Sequence, residues 1–201
     1  QLPHNAIYGV SPTGNTQFAI VRTGAYRDYG FGGFVYQRNN DVTLPSTGQA
    51  AYTGQSTGIR DRIGNGGIDY TRADVQIAID FDDFNATMGT RGDALRGSVF
   101  NRQIFDTDRN NITADVLSRT RTDLNLTNAQ LSSIPGLTFV IEPGVLDDNG
   151  ELIGTLDSVY QDSNGEVQTF ETGNYYAVIS GADADQEIVG VFVVEGSTDP
   201  L

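Results

Sequence analysis

The chain has 201 residues, with 26 acidic against 12 basic side chains, a formal charge of −14, and neither cysteine nor tryptophan. Disulfides, thiolate zinc sites and cysteine nucleophiles are thereby excluded, while one domain of this length buries roughly 70% of its unfolded surface without staples. The basic residues are all arginine and cluster no further than Arg119-Thr120-Arg121, which argues against a nucleic-acid partner, because phosphates demand a basic stripe.

Gln1 reads as a trimmed, mature start, and any leader or lipid-anchoring cysteine would belong to a longer precursor. His4, the only histidine, lies close to that end, where a catalytic triad or a metal site would be poorly held. Residues 25–37, AYRDYGFGGFVYQ, interleave Tyr26, Tyr29, Phe31, Phe34 and Tyr36 with glycines. Tyrosines in such a setting offer contact area at low entropic cost, so these five are the candidate ligand-binding residues. Filling of a seam between two layers is the competing reading. Leu44-Pro45 marks a boundary, dividing the chain into an N-terminal β segment, 1–43, and a β domain, 44–201.

Strand patterns dominate the second part. Val75, Ile77, Ile79 and Phe81 share one face against Asp74, Gln76, Ala78 and Asp80, and the same alternation occurs at Ile112/Ala114/Val116, Leu137/Phe139/Ile141 and Tyr175/Ala177/Ile179. Asn149-Gly150 and Asn164-Gly165 read as hairpin turns of type I′, in which both central residues have positive φ. Helical signals are confined to Thr127–Ser133 and Ala182–Ile188. The expectation is an all-β fold: about eight strands from residue 48 onward, closing as an eight-stranded antiparallel β-barrel that removes its own edges, with the small N-terminal β segment packed on it. A sandwich shares the same periodicity.

Chemistry-bearing patterns are sparse. Asp80, Asp82 and Asp83 offer the paired carboxylates of a glycosidase, but among 26 acidic residues a solvated strand end is the simpler account. DTDRNNITAD, 106–115, opens like a calcium loop and then has Asn111 and Leu117 where glycine and glutamate are diagnostic; a polar turn fits better. Arg91-Gly92-Asp93 matches an adhesion tripeptide too short to be specific. Three sequons begin at Asn85, Asn111 and Asn125.

Two phrases carry a resemblance. LPSTGQAAYTG places Pro45, Gly48, Tyr52 and Gly54 in the pattern P-x-x-G-x-x-x-Y-x-G. GADADQEIVGVF places Gly181, Ala184, Glu187, Ile188, Gly190 and Phe192 in G-x-x-A-x-E-apolar-x-G-x-F, with Val189 where many relatives carry another glycine. Over residues 44–196 the chain resembles the C-terminal barrel domain of bacterial surface lipoproteins of the transferrin-binding protein B type. The resemblance implies an eight-stranded barrel, export to the outer-membrane surface or periplasm of a Gram-negative bacterium, and binding rather than catalysis. Its motif residues are structural, and no ligand site transfers by position.

The chain is therefore expected to be a monomeric, non-enzymatic, exported binding protein without cofactor or metal, engaging a protein or small ligand through loops or the aromatic patch. A hollow, lipocalin-like carrier and a carbohydrate-active enzyme using Asp80–Asp83 are the alternatives. Glu187 is expected to bond backbone N–H groups where the sheet turns into its last strand.

Overall fold

A computed structural model describes residues 4–23, 32–62, 67–84, 95–140, 144–182 and 185–196. The fold is all-β with one short helix. A three-stranded antiparallel sheet holds β1 (His4–Val10), β2 (Thr16–Thr23) and β3 (Gly32–Arg38) in that order. A second sheet, curled into a half-barrel, runs in order from β11 (Glu187–Gly196) through β10 (Val167–Ala182), β9 (Glu151–Gln161), β8 (Leu137–Phe139), β7 (Leu95–Phe105) and β6 (Ile68–Asp80) to β5 (Gln49–Asp61). Its eighth strand, β4 (Val42–Thr43), precedes residue 48 and pairs parallel with β10, Val42 opposite Gly181. The stretch from residue 48 onward thus supplies seven strands among the described residues, not eight. The one parallel pair also departs from a wholly antiparallel sheet.

One face of the half-barrel is its core. Ile77 and Ile79 of β6, Leu95 and Val99 of β7, Leu137 and Phe139 of β8, Leu152 and Leu156 of β9, and Tyr175, Ala177 and Ile179 of β10 are buried together, as a period-two pattern with one face inward requires. Two rings fill the middle: Phe139 and Tyr175 stack with centroids 4.4 Å apart. Tyr175 lies directly over Gly154, its partner on β9, where even a methyl group would meet the ring at 2.7 Å and its hydroxyl at 2.5 Å. An aromatic laid across a glycine restores the packing that the bare backbone lacks.

Between β7 and β8 the chain forms α1 (Thr113–Asp123). This overturns the strand expectation for Ile112, Ala114 and Val116. The buried positions are Val116, Leu117 and Thr120, a spacing that selects one helical face and packs with Ile104, Leu131, Ile134 and Phe170 into a second apolar cluster. Thr113 stitches the helix start to the sheet, its Oγ1 accepting the Ile104 N–H at 2.8 Å. The helix expected at Thr127–Ser133 is instead a single turn, closed by Leu131 N–H to the Thr127 carbonyl and by the Gln130 amide oxygen on Thr127. Of Ala182–Ile188, Ala182 ends β10, Asp185 is in a 3-10 turn and Glu187 begins β11, and residues 183–184 lie outside the described set.

The hairpins fall where Asn-Gly places them, with a different turn. Only Gly150 (φ 74°) and Gly165 (φ 82°) are left-handed; neither preceding asparagine is. Gly150 N–H bonds the Asp147 carbonyl and Asp147 N–H the Glu151 carbonyl, a pattern repeated by Asp162, Gly165 and Glu166, which makes each a type I turn followed by a glycine bulge. The aspartates choose this turn. Asp162 Oδ1 accepts the N–H groups of Asn164 at 2.8 Å and Glu166 at 2.9 Å, and Asp147 does the same for Asn149 and Glu151. Gly165→Ala places a Cβ at positive φ and is expected to cost about 1 kcal/mol in denaturant unfolding; no loss would show that the turn does not need the left-handed residue.

The Asp162 carboxyl is held below the ordinary carboxylate range, first by the Glu166 N–H, with the Asn164 N–H and the Gln168 amide adding to it. A depressed folded pKa stabilises the hairpin above the ordinary carboxyl pKa of about 3.9, and that contribution vanishes as pH falls through the lower folded value. The amide resonances of Asn164 and Glu166 should therefore hold constant down to the ordinary carboxyl pKa and move only below it. Movement at or above that pKa would contradict the turn's wiring.

The small sheet lies against β10, β11 and β5, and β11 is consequently packed from both sides. Ile188, Phe192 and Val194 join the half-barrel core, while Val191, facing the other way, is 6% exposed. Gly190 permits the close approach of β10, since a Cβ there would meet the Ala177 Cβ and the Tyr176 carbonyl at 2.5 Å. Glu187 fixes the small sheet through hydroxyls rather than backbone N–H groups: Ser11 (2.7 Å), Thr13 (3.0 Å) and Thr16 (2.9 Å) all donate to its carboxylate. Each is a hydrogen bond to a charged acceptor, the stronger kind. Tyr52 donates to Gln186 (2.9 Å), and Gln186 donates to the Thr43 carbonyl (2.9 Å), drawing β5 and β4 to the start of β11. Among the described residues no helix is long and apolar enough to cross a membrane.

Candidate functional site

Of the five candidate binding residues, Phe34 and Tyr36 are described; Tyr26, Tyr29 and Phe31 lie outside the described residues. Alternation along β3 puts Phe34, Tyr36 and Arg38 on the face toward the half-barrel. Arg38 pins the strand there by donating to the carbonyls of Ile179 (2.9 Å) and Asn149 (2.5 Å). With that anchor set, Phe34 stacks on Tyr176 of β10 at 5.9 Å and 28°. The seam thus holds these aromatics, but does not cover them. Phe34 remains 43% exposed, and Ile153, directly across from Tyr176 on β9, is 54% exposed.

These side chains form an apolar shelf along a strand that, among the described residues, pairs only with β2. Tyr36 adds the polar handle. Burial, then the Glu151 carboxylate and Tyr176, pushes its hydroxyl above the usual phenol range, so it stays a hydrogen-bond donor across the neutral range. Tyr176 and Ile153 escaped the sequence reading because their membership depends on the β9–β10 register and on where the small sheet lands. The outer face of that sheet is apolar as well: Tyr8, Val10, Val21 and Val35 are 79, 56, 42 and 55% exposed. Val35 carries that face up to the edge of the shelf, on the same strand.

The remaining sequence candidates do other work. Asp80 accepts the Gln49 amide (2.6 Å) and the Asp82 N–H (3.0 Å), and Asp82 accepts the Gly48 N–H (3.1 Å), so both carboxylates fasten the start of β5 to the end of β6. Asp106 closes a polar turn on Asn110, which holds its carboxyl below the usual range. His4 opens β1, and no group of three or more histidine, aspartate or glutamate side chains among the described residues is placed to hold a metal ion. Arg91-Gly92-Asp93, Asp83's side chain and the sequon at Asn85 lie outside the described set. Asn111 caps the Thr113 N–H (3.0 Å).

Compared with known proteins, the chain matches no family model, no curated protein and no solved structure.

Proposed function

We propose that this chain is a non-enzymatic, exported bacterial binding protein whose half-barrel corresponds to the barrel of the transferrin-binding protein B type, displayed at the outer-membrane surface or in the periplasm. It takes a protein or small ligand through the aromatic shelf. The observation that carries this reading is the part-exposed Phe34–Tyr176 stack between β3 and β10, continued by Tyr36 on β3 and Ile153 on β9. Contiguous apolar surface of this kind marks interaction sites, and rigid aromatic rings supply contact area at little entropic cost. A strongly acidic remainder favours a partner whose contacting surface is neutral or basic.

The alternatives have less behind them. A hollow carrier needs a cavity where Ile77, Leu156, Phe139 and Tyr175 are packed. A carboxylate hydrolase needs Asp80 and Asp82 free of the structural bonds they make. The test is capture: immobilised chain is exposed to extracellular fluid, and retained proteins or small molecules are identified by mass spectrometry. One saturable partner, released unchanged in mass, supports the reading. Partner turnover, or equal retention by wild type and Phe34→Ala, would overturn it.

A further inference from the structure

A second site lies away from the shelf and shares no residue with it. Where β8 stops after three residues, the lower part of β7 faces the start of α1 and the segment before β8, leaving an open groove of about 630 Å³. The size is that of small-ligand pockets; the chemistry is not the apolar one usual for them. Only Ala73, Leu117 and Ile134 are apolar in its lining.

We propose that this groove binds a neutral oligosaccharide. Its charges balance locally: Arg102 pairs with Glu171 at 2.5 and 3.0 Å, while Arg72 and Asp74, of opposite sign, each bond a neutral amide, Arg72 donating to Gln55 at 3.1 Å and Asp74 accepting from Asn101 at 2.8 Å. The rest of the polar lining is neutral. Gln103, Ser132 and Ser133 line the groove, are exposed, and make no side-chain hydrogen bond to a described residue. Hydroxyls and amides both donate and accept, which matches sugar hydroxyls that do the same. An anion would find Asp74 beside Arg72 in a chain of −14, and an apolar ligand would find too little apolar wall.

The backbone is also built for the site. The β6–β7 ladder shifts register between Arg72 and Asp74, and Asn101, opposite the shift, sits at φ 53°. Bulges and left-handed non-glycine residues concentrate where a protein re-aims side chains for function. Here the shift leaves Asn101 donating to Asp74, both of them in the groove wall.

The test is a titration of the isotope-labelled full chain with maltotetraose, cellotetraose, chitotetraose and mannotetraose, with a sulfated and a uronic-acid tetrasaccharide as charged controls. At least one neutral member should shift the amides of Asn101, Gln103, Ser132 and Ser133 saturably. Gln103→Ala combined with Ser133→Ala should weaken that binding about tenfold, the loss of roughly one good hydrogen bond, while leaving the remaining spectrum unchanged. No shift with any neutral member, shifts only with the charged ones, or affinity indifferent to both substitutions would overturn the proposal. None of these outcomes bears on the aromatic shelf, whose own variants decide it.

Discussion

Arg102→Met is expected to destabilise the fold by about 3–5 kcal/mol, the cost of leaving a buried charge unpaired. The charge is Glu171, 7% exposed on β10. Arg102 meets it with both terminal guanidinium nitrogens, Ser158 adds a hydroxyl at 3.1 Å, and Arg102 also donates to the Pro135 carbonyl at 2.8 Å. The Arg102–Glu171 pair therefore ties β7, β9, β10 and the segment entering β8 together. Removing the arginine leaves Glu171 with the Ser158 hydroxyl as its remaining side-chain hydrogen bond and Arg60 acting on it only through space. The double variant Arg102→Met with Glu171→Leu should recover most of the loss, because a buried pair contributes little net stability over apolar residues of similar volume. Chemical denaturation of the two variants measures both. A double variant as unstable as Arg102→Met would mean that the Pro135 contact, rather than the ion pair, dominates.

Tyr175→Ala should cost a comparable amount, about 3–5 kcal/mol. Tyr175 is 3% exposed, stacks on Phe139 and covers Gly154. With the ring gone, Gly154 cannot fill the space, having no side chain, and Phe139 loses its stacking partner. The cavity sits in mid-sheet, where β9 and β10 are held by eleven register pairs on one side and β11 closes β10 on the other, so collapse onto it is restricted. A loss below about 1.5 kcal/mol, the usual ceiling for volume-conserving core swaps, would mean the half-barrel core repacks freely.

How legible the fold was in the sequence depended on how local each cause is. The alternation of Val75, Ile77 and Ile79 is written in consecutive residues, and those side chains face the core. The Asn-Gly turns were placed correctly and typed wrongly, because the deciding group is the aspartate two residues earlier, whose carboxylate captures two N–H groups. Ile112, Ala114 and Val116 alternate by coincidence; the helix is set by Val116 and Leu117 meeting Ile104 and Phe170, and Phe170 lies far along the chain. Glu187 was singled out as a closing residue, but its acceptor role toward Ser11, Thr13 and Thr16 spans more than 170 residues. Of the aromatic patch, the sequence shows the rings and not Tyr176, which only the packing of two sheets brings to Phe34. The groove was invisible for the same reason: its lining comes from three strands, a helix start and a loop.

The reading as a binding protein rests on the shelf, and the most direct measurement is the affinity of the captured partner for three single variants. Phe34→Ala and Tyr176→Ala remove the stacked rings; Val167→Ala removes an equally apolar side chain, 65% exposed, nine positions along β10 from Tyr176 and so roughly 30 Å away. Each ring deletion is expected to weaken binding at least about tenfold, the lower range for an aromatic anchor, with Val167→Ala unchanged. Full affinity in both ring variants, or an equal loss in all three, would contradict the account.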